Sequence, residues 1–127
     1  MIADAPLTAI LPASDIERAK RFYSEKVGLR PADLAVPDDG AVFLGGSGTM
    51  LYLYEREGGT KADHTVAGWL VEDLEQAVAE LRGRGIAFES YDMPGLKTDE
   101  QGIAESGGAR GAWFKDSEGN ILALTEF

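Results

Sequence analysis

Cysteine is absent from this chain and histidine occurs once, at position 64. The first absence excludes disulfides, a thiolate nucleophile and cysteine-type zinc sites, and it fits a cytoplasmic setting. The second leaves a single imidazole, set in the polar stretch KADH, and no nucleophile-base-acid set is marked around it. No apolar run approaches 18 residues, and no basic segment precedes a short apolar one. Neither a membrane span nor a secretory signal is expected. Basic residues are also scarce: 12 Lys and Arg against 22 Asp and Glu give a formal charge of −10. Such a surface repels phosphate backbones and anionic lipid, which argues against nucleic acid and membranes and favours a cationic small molecule or a basic partner. The only glycine-rich run resembling a phosphate loop, GGSG at 45–48, lies between strands with no Lys-Ser/Thr after it, and reads as a turn.

What is present is a repetition. FLGGSGTMLYLYER at 43–56 and FKDSEGNILALTEF at 114–127 each give a Phe, a small-residue turn, an alternating apolar strand and an acid. SDIERAKRFY at 14–23 likewise matches EDLEQAVAEL at 72–81, an offset of 58 that grows to 71 by the closing strands. Ile16, Ala19, Tyr23 and Val27 recur at helical spacing, as do Leu74, Ala77, Val78 and Leu81. Ser14 with Glu17, and Asp73 with Gln76, have the spacing of capping boxes, while Gly28 and Gly85 supply stops. An apolar strand precedes each helix, LTAIL at 7–11 and TVAGWLV at 65–71. After the first helix come LRPADLA, AVFLG and MLYLYE; after the second come IAFESYD, GAWFK and ILALTEF. Each half therefore reads β-α-β-β-β, an α+β pattern within one domain of residues 1–127, with one module over about 5–58 and another over about 64–127. Mean hydropathy of −0.16 and a mass of 13.6 kDa suit a soluble protein able to bury about two thirds of its unfolded surface.

The combination of S-D-(I/L)-E-R-A, F-Y and G-L at 14–29 with F-x-D-(P/S)-(D/E)-G-N-x-(I/L) at 114–122 resembles the vicinal-oxygen-chelate superfamily over essentially the whole chain. That group includes glyoxalase I, extradiol dioxygenases, fosfomycin-resistance enzymes and bleomycin-binding resistance proteins. The resemblance implies two βαβββ modules forming a curved mixed sheet around a cleft, and, in the metal-dependent members, a divalent ion that chelates two neighbouring substrate oxygens. Its ligands are implied at the first and last strands of each half, which here are Thr8, Tyr52, Val66 and Ala123. None is a good ligand for a divalent cation, so no metal and no other cofactor is expected. His64 stands two residues before Val66 in KADH and reads as an exposed linker residue.

Strand alternation places Ile10, Met50, Tyr54, Gly68, Leu70, Ile121 and Thr125 on the same faces as those four positions, and puts Leu7, Ala9, Leu11, Ala67, Trp69 and Val71 toward the helices. The expected ligand-binding set is Thr8, Ile10, Tyr52, Tyr54, Val66, Gly68, Trp113, Ala123 and Thr125. Arg110 joins it from the irregular stretch at 91–110, a potential lid whose other candidate polar contacts are Asp92, Lys97, Glu100 and Glu105. Tyr52 and Tyr54 against Ala123 and Thr125 give one bulky wall and one small wall, a slot for a flat molecule. The expected function is metal-independent binding of a small apolar or cationic organic molecule, similar in kind to drug-sequestering resistance proteins, by a homodimer. The alternatives are a lyase, isomerase or dioxygenase of the same superfamily, and a structural module whose hollow is filled by its own side chains.

Overall fold

Asp15 and Asp73 stand 58 positions apart and do the same thing. Each has an extended backbone (φ −130° and −131°) and accepts the amide three residues on, Arg18 at 3.0 Å and Gln76 at 3.1 Å. These are the N-caps of α1 (Ile16–Arg21) and α2 (Leu74–Gly83). In the first helix the cap falls one residue after the expected Ser14, because the Ser14 hydroxyl donates to Glu118 instead (3.2 Å). A single wide π turn, Phe22–Val27, continues α1 and stops at Gly28, whose φ of 87° is a left-handed backbone. The computed structural model describes residues 1–37 and 40–127, which gather into two compact units.

The first unit holds residues 1–61 and 117–119. Its sheet has the order β1-β4-β3-β2, with β1 (Thr8–Ala13) parallel to β4 (Met50–Glu55), and β3 (Gly40–Leu44) and β2 (Arg30–Pro31) antiparallel beyond it. Alternation sends Leu11, Ala13, Ala41, Phe43, Leu51 and Leu53 to the face on which Ile16, Ala19 and Tyr23 are also buried. Leu7, expected in this core, precedes β1 and is 84% exposed. The strand expected at LRPADLA shrinks to two residues, since Pro31 has no N–H with which to extend a ladder.

The second unit holds residues 62–116 and 120–127, with sheet order β5-β10-β9-β8. Here β5 (Thr65–Leu70) runs parallel to β10 (Ile121–Glu126), while β9 (Ala109–Lys115) and β8 (Ile103–Ser106) are antiparallel neighbours. Leu74, Val78 and Leu81 of α2 share a core with Ala112, Phe114, Leu122 and Leu124. One expectation is corrected: IAFESYD is not a strand but a single bridge, Phe88 to Phe114. The outer position belongs mainly to β8, drawn from the stretch expected to be irregular. Gly107 and Gly108, with φ of 58° and 88°, close a tight hairpin from β8 to β9, and so short a loop costs little entropy to close. A second small hairpin, β6 (Asp92–Met93) and β7 (Leu96–Lys97), occupies the rest of the stretch.

The 71-residue offset survives in the register. Val42 lies opposite Tyr52 in the first sheet, and Trp113 opposite Ala123 in the second. Among the described residues no helix is long and apolar enough to cross a membrane.

Candidate functional site

Each sheet has a helix on one face only within its own unit, and the residues singled out by alternation lie on the other face. In the first unit Thr8 pairs with Met50, Ile10 with Tyr52 and Gly40 with Tyr54. Ile10 is 63% exposed and Tyr54 is also exposed, while Thr8 and Tyr52 are half-buried. Gly40 makes room for the tyrosine: a Cβ there would stand 3.1 Å from the Tyr52 hydroxyl.

In the second unit the opposite face is floored by small residues. Ala123 lies between Gly68 on β5 and Trp113 on β9, and Thr125 lies between Leu70 and Gly111. Thr65, Gly68, Leu70, Ala123 and Thr125 line an open depression of about 290 Å³, to which Ala67 and Trp69 also contribute. Among the described residues no charged side chain lines it. Gly68 is required by close approach, because a Cβ there would come within 2.5 Å of the Ala123 carbonyl oxygen. The cause is a bulge: Thr65 pairs with Ile121 and Ala67 with Leu122, so Val66 has no partner opposite. Val66, expected in the lining, is therefore displaced, and Thr65 takes that place.

Trp113 sits on this face, its benzo edge on Gly111, where a Cβ would be 3.2 Å from the indole Cη2. Trp69 is on the helix face, stacked on Phe114 with centroids 6.3 Å apart and planes 7° off parallel. Arg110 is on the helix face too. Its guanidinium bridges Glu75 on α2 and Glu126 on β10, the latter at 3.2 Å, so it points away from Trp113 and Ala123. Asp92 and Lys97 face each other across the β6–β7 hairpin.

A divalent metal does not fit these residues. The implied ligand positions carry Thr8, Tyr52, Val66 and Ala123, and among the described residues no three His, Cys, Asp or Glu side chains converge. His64 is exposed, with its Nδ1 3.1 Å from the Thr65 carbonyl oxygen.

The strongest electrostatic feature lies elsewhere, in the DSEGN turn. Glu118 has no exposed side-chain surface, and its Oε1 accepts the Ser14 and Asp15 amides (both 3.0 Å) and Arg18 Nη2 (3.1 Å), its Oε2 Arg18 Nε (2.8 Å) and the Ser117 hydroxyl (2.8 Å). Burial pushes this carboxyl up. The Arg18 guanidinium, the Asp15 amide and the Ser117 hydroxyl more than offset that and hold it at about 2. These donors all belong to the start of α1 or to the turn itself, so Glu118 is a clasp on the α1 N-terminus.

A family model described as the Glyoxalase/Bleomycin resistance protein/Dioxygenase superfamily matches residues 6–124. The chain belongs to that superfamily. Solved superfamily structures agree in fold. One from Sphaerobacter thermophilus DSM 20745 is 22% identical, with full coverage of both chains and a TM-score of 0.73. TnmS3, an antibiotic binding protein from Streptomyces sp. CB03234, is 25% identical, covering 99% of this chain and 98% of its own with a TM-score of 0.71. Lactoylglutathione lyase from Agrobacterium tumefaciens is 19% identical, covering 97% and 93%, also with a TM-score of 0.71. No curated protein matches. The superfamily thus holds both binding proteins and enzymes, and the side chains of this member have to decide between them.

Proposed function

We propose that this superfamily member binds a small, largely apolar or cationic organic molecule without a metal, in the manner of a drug-sequestering protein. The observation that carries the reading is the chemistry of the uncovered faces. Hydroxyls, aromatic rings and small residues stand where a Lewis-acid enzyme needs imidazoles and carboxylates. Within the first unit Thr8, Ile10, Tyr52 and Tyr54 offer apolar and aromatic contact, and within the second Gly68, Trp113, Ala123 and Thr125 offer contact and space. A lining of this kind selects by shape and stacking, with a few hydroxyls to fix orientation. The likeness to TnmS3, an antibiotic binding protein, supports the same reading.

The test is calorimetric titration of chelator-treated protein with a panel of aromatic antibiotics, planar and non-planar, neutral and cationic. Saturable binding of at least one compound, with Kd below ~10 µM, is the expected result. Binding that requires added Zn, Ni, Mn or Fe, or one such ion per chain in protein purified without chelators, overturns it in favour of a metal-dependent lyase or dioxygenase.

A further inference from the structure

The stretch between α2 and β9 closes on itself at one point and touches the uncovered face at another. Tyr91 and Thr98 close it: the Tyr91 amide donates to Thr98 Oγ1 (2.9 Å), and the Thr98 amide and hydroxyl donate to the Tyr91 carbonyl (2.9 and 3.3 Å). The loop so tied contains the β6–β7 hairpin, turned through Pro94 and Gly95, the latter with φ of 81°. Two residues per strand cannot hold a hairpin together unaided, so its place depends on that tie. The Tyr91 ring leaves the tie and makes a T-shaped contact with the Trp113 indole, with centroids 5.6 Å apart and planes at 77°. The benzo edge of the same indole lies against Gly111, where a Cβ would stand 3.2 Å from Cη2. Tyr91 and Trp113 are both half-buried, and Trp113 neighbours the small floor at Ala123.

We propose that Tyr91 is a positioning residue for ligand recognition: it fixes the Trp113 indole across Gly111 as a stacking platform for a planar aromatic ring lying over Ala123. This rests on the reading that the protein binds small organic molecules, and adds which part of such a molecule is recognised and by what. A T-shaped contact holds the indole in one orientation, and an indole so held loses less freedom when a ligand stacks on it. With no charged side chain among the described residues lining the depression, ring area is the main determinant, while the net charge of −10 favours a cationic ring over an anionic one. Burial, with Glu89 nearby, pushes the Tyr91 phenol up, so it stays neutral.

The test uses proflavine, a flat cation, and anilinonaphthalene sulfonate, an anion, with the full chain carrying Trp69→Phe so that Trp113 is the sole tryptophan. Tyr91→Leu should shift Trp113 emission to longer wavelength, raise its quenching by acrylamide, and weaken proflavine about tenfold. Tyr91→Phe keeps the ring and should restore all three readouts. Proflavine should bind more tightly than the anionic dye. Unchanged Trp113 emission and affinity in Tyr91→Leu, or a Tyr91→Phe as weak as Tyr91→Leu, overturns the inference while the binding function stands. So does a wild-type protein that ignores both dyes yet binds a non-planar antibiotic. If it binds no compound at all, the function itself fails, and the inference with it.

Discussion

Replacing Glu118 by Gln should cost the first unit stability, and the cost should depend on pH in a way fixed by geometry. The carboxylate is fully buried, holds two backbone amides at the start of α1, and takes a forked contact from Arg18. A negative charge there also faces the positive end of the helix dipole. Its pKa falls from 4.5 to about 2 on folding, and each unit is worth about 1.4 kcal/mol, so the ionised form contributes about 3 kcal/mol. Arg18 is 47% exposed, and water screens its share, which brings the expected figure to about 2 kcal/mol.

The sign follows from the direction of the shift. A depressed carboxyl pKa stabilises fully above the unfolded value of 4.5 and loses its contribution as pH falls toward the folded value of about 2. Urea unfolding of wild type and Glu118→Gln, followed by far-UV circular dichroism at pH 7, 5, 4 and 3, isolates this group from the many other acids. The difference should be level from pH 7 to 5 and reduced to about half by pH 3. A difference below about 1 kcal/mol at neutral pH, or one that does not change down to pH 3, would show that the clasp is electrostatically idle.

Gly68→Ala places a Cβ 2.5 Å from the Ala123 carbonyl oxygen, a backbone atom that cannot swing aside, and should destabilise by about 2 kcal/mol or more in a thermal melt. A melting temperature within about 2 °C of wild type would mean that β5 relaxes freely at its bulge. Tyr52→Ala combined with Tyr54→Ala should weaken any ligand found by at least about tenfold, and Ala123→Phe should block it, both with the circular dichroism spectrum unchanged; calorimetric titration reads both. Ile10 and Leu70, 63% and 75% exposed, lie on faces that no helix of their own unit covers, and a second copy of the chain is the expected cover. Sedimentation equilibrium should then give twice the 13.6 kDa chain mass, and a monomer at micromolar concentration counts against it.

The helices, their caps and the paired registers were legible in the sequence because each depends on local spacing: apolar residues at helical intervals, an Asp before each run, alternation in the closing strands. Arg110 illustrates what was not. By composition it was a free cation at the edge of a polar stretch, yet its place in β9 turns it toward α2, where Glu75 and Glu126 satisfy it. Which face a residue takes in such a stretch depends on where the strand begins, and the Gly107–Gly108 hairpin sets that start. Val66 failed for a related reason. Alternation assumes an uninterrupted ladder, and one bulge moved Thr65 into its place. Those two adjacent glycines were the one signal available for β8, and they read equally well as loop punctuation. Tyr91 gave no signal at all, since its meeting with Trp113 is made across 22 positions by the path of the intervening chain.

The two halves also show which side of a sheet the fold constrains. On the helix faces the content matches: Leu51 and Leu53 stand where Leu122 and Leu124 do, and all four are buried. On the opposite faces Tyr52 and Tyr54 stand where Ala123 and Thr125 do, at the same register. The buried leucines are held to size by packing, where losing a side chain costs about 2–5 kcal/mol, while half-exposed positions bear no such penalty. Differences can therefore accumulate there without loss of fold, on the same faces to which the proposed binding is assigned. The clasps follow the same logic from another direction. The α2 N-terminus is held by Glu126 at the end of its own sheet (Leu74 amide, 2.8 Å), but the α1 N-terminus is held by Glu118 from the turn between β9 and β10. Residues 117–119 thereby belong to the first unit although the strands on either side belong to the second. With its helix end secured from a distant turn, the first sheet has no need of Glu55 for that task. Glu55, the counterpart of Glu126 by the 71-residue offset, keeps the helix-side register opposite Ala13 but stays exposed, so the same acid in the same place clasps a helix in one half and is left to solvent in the other.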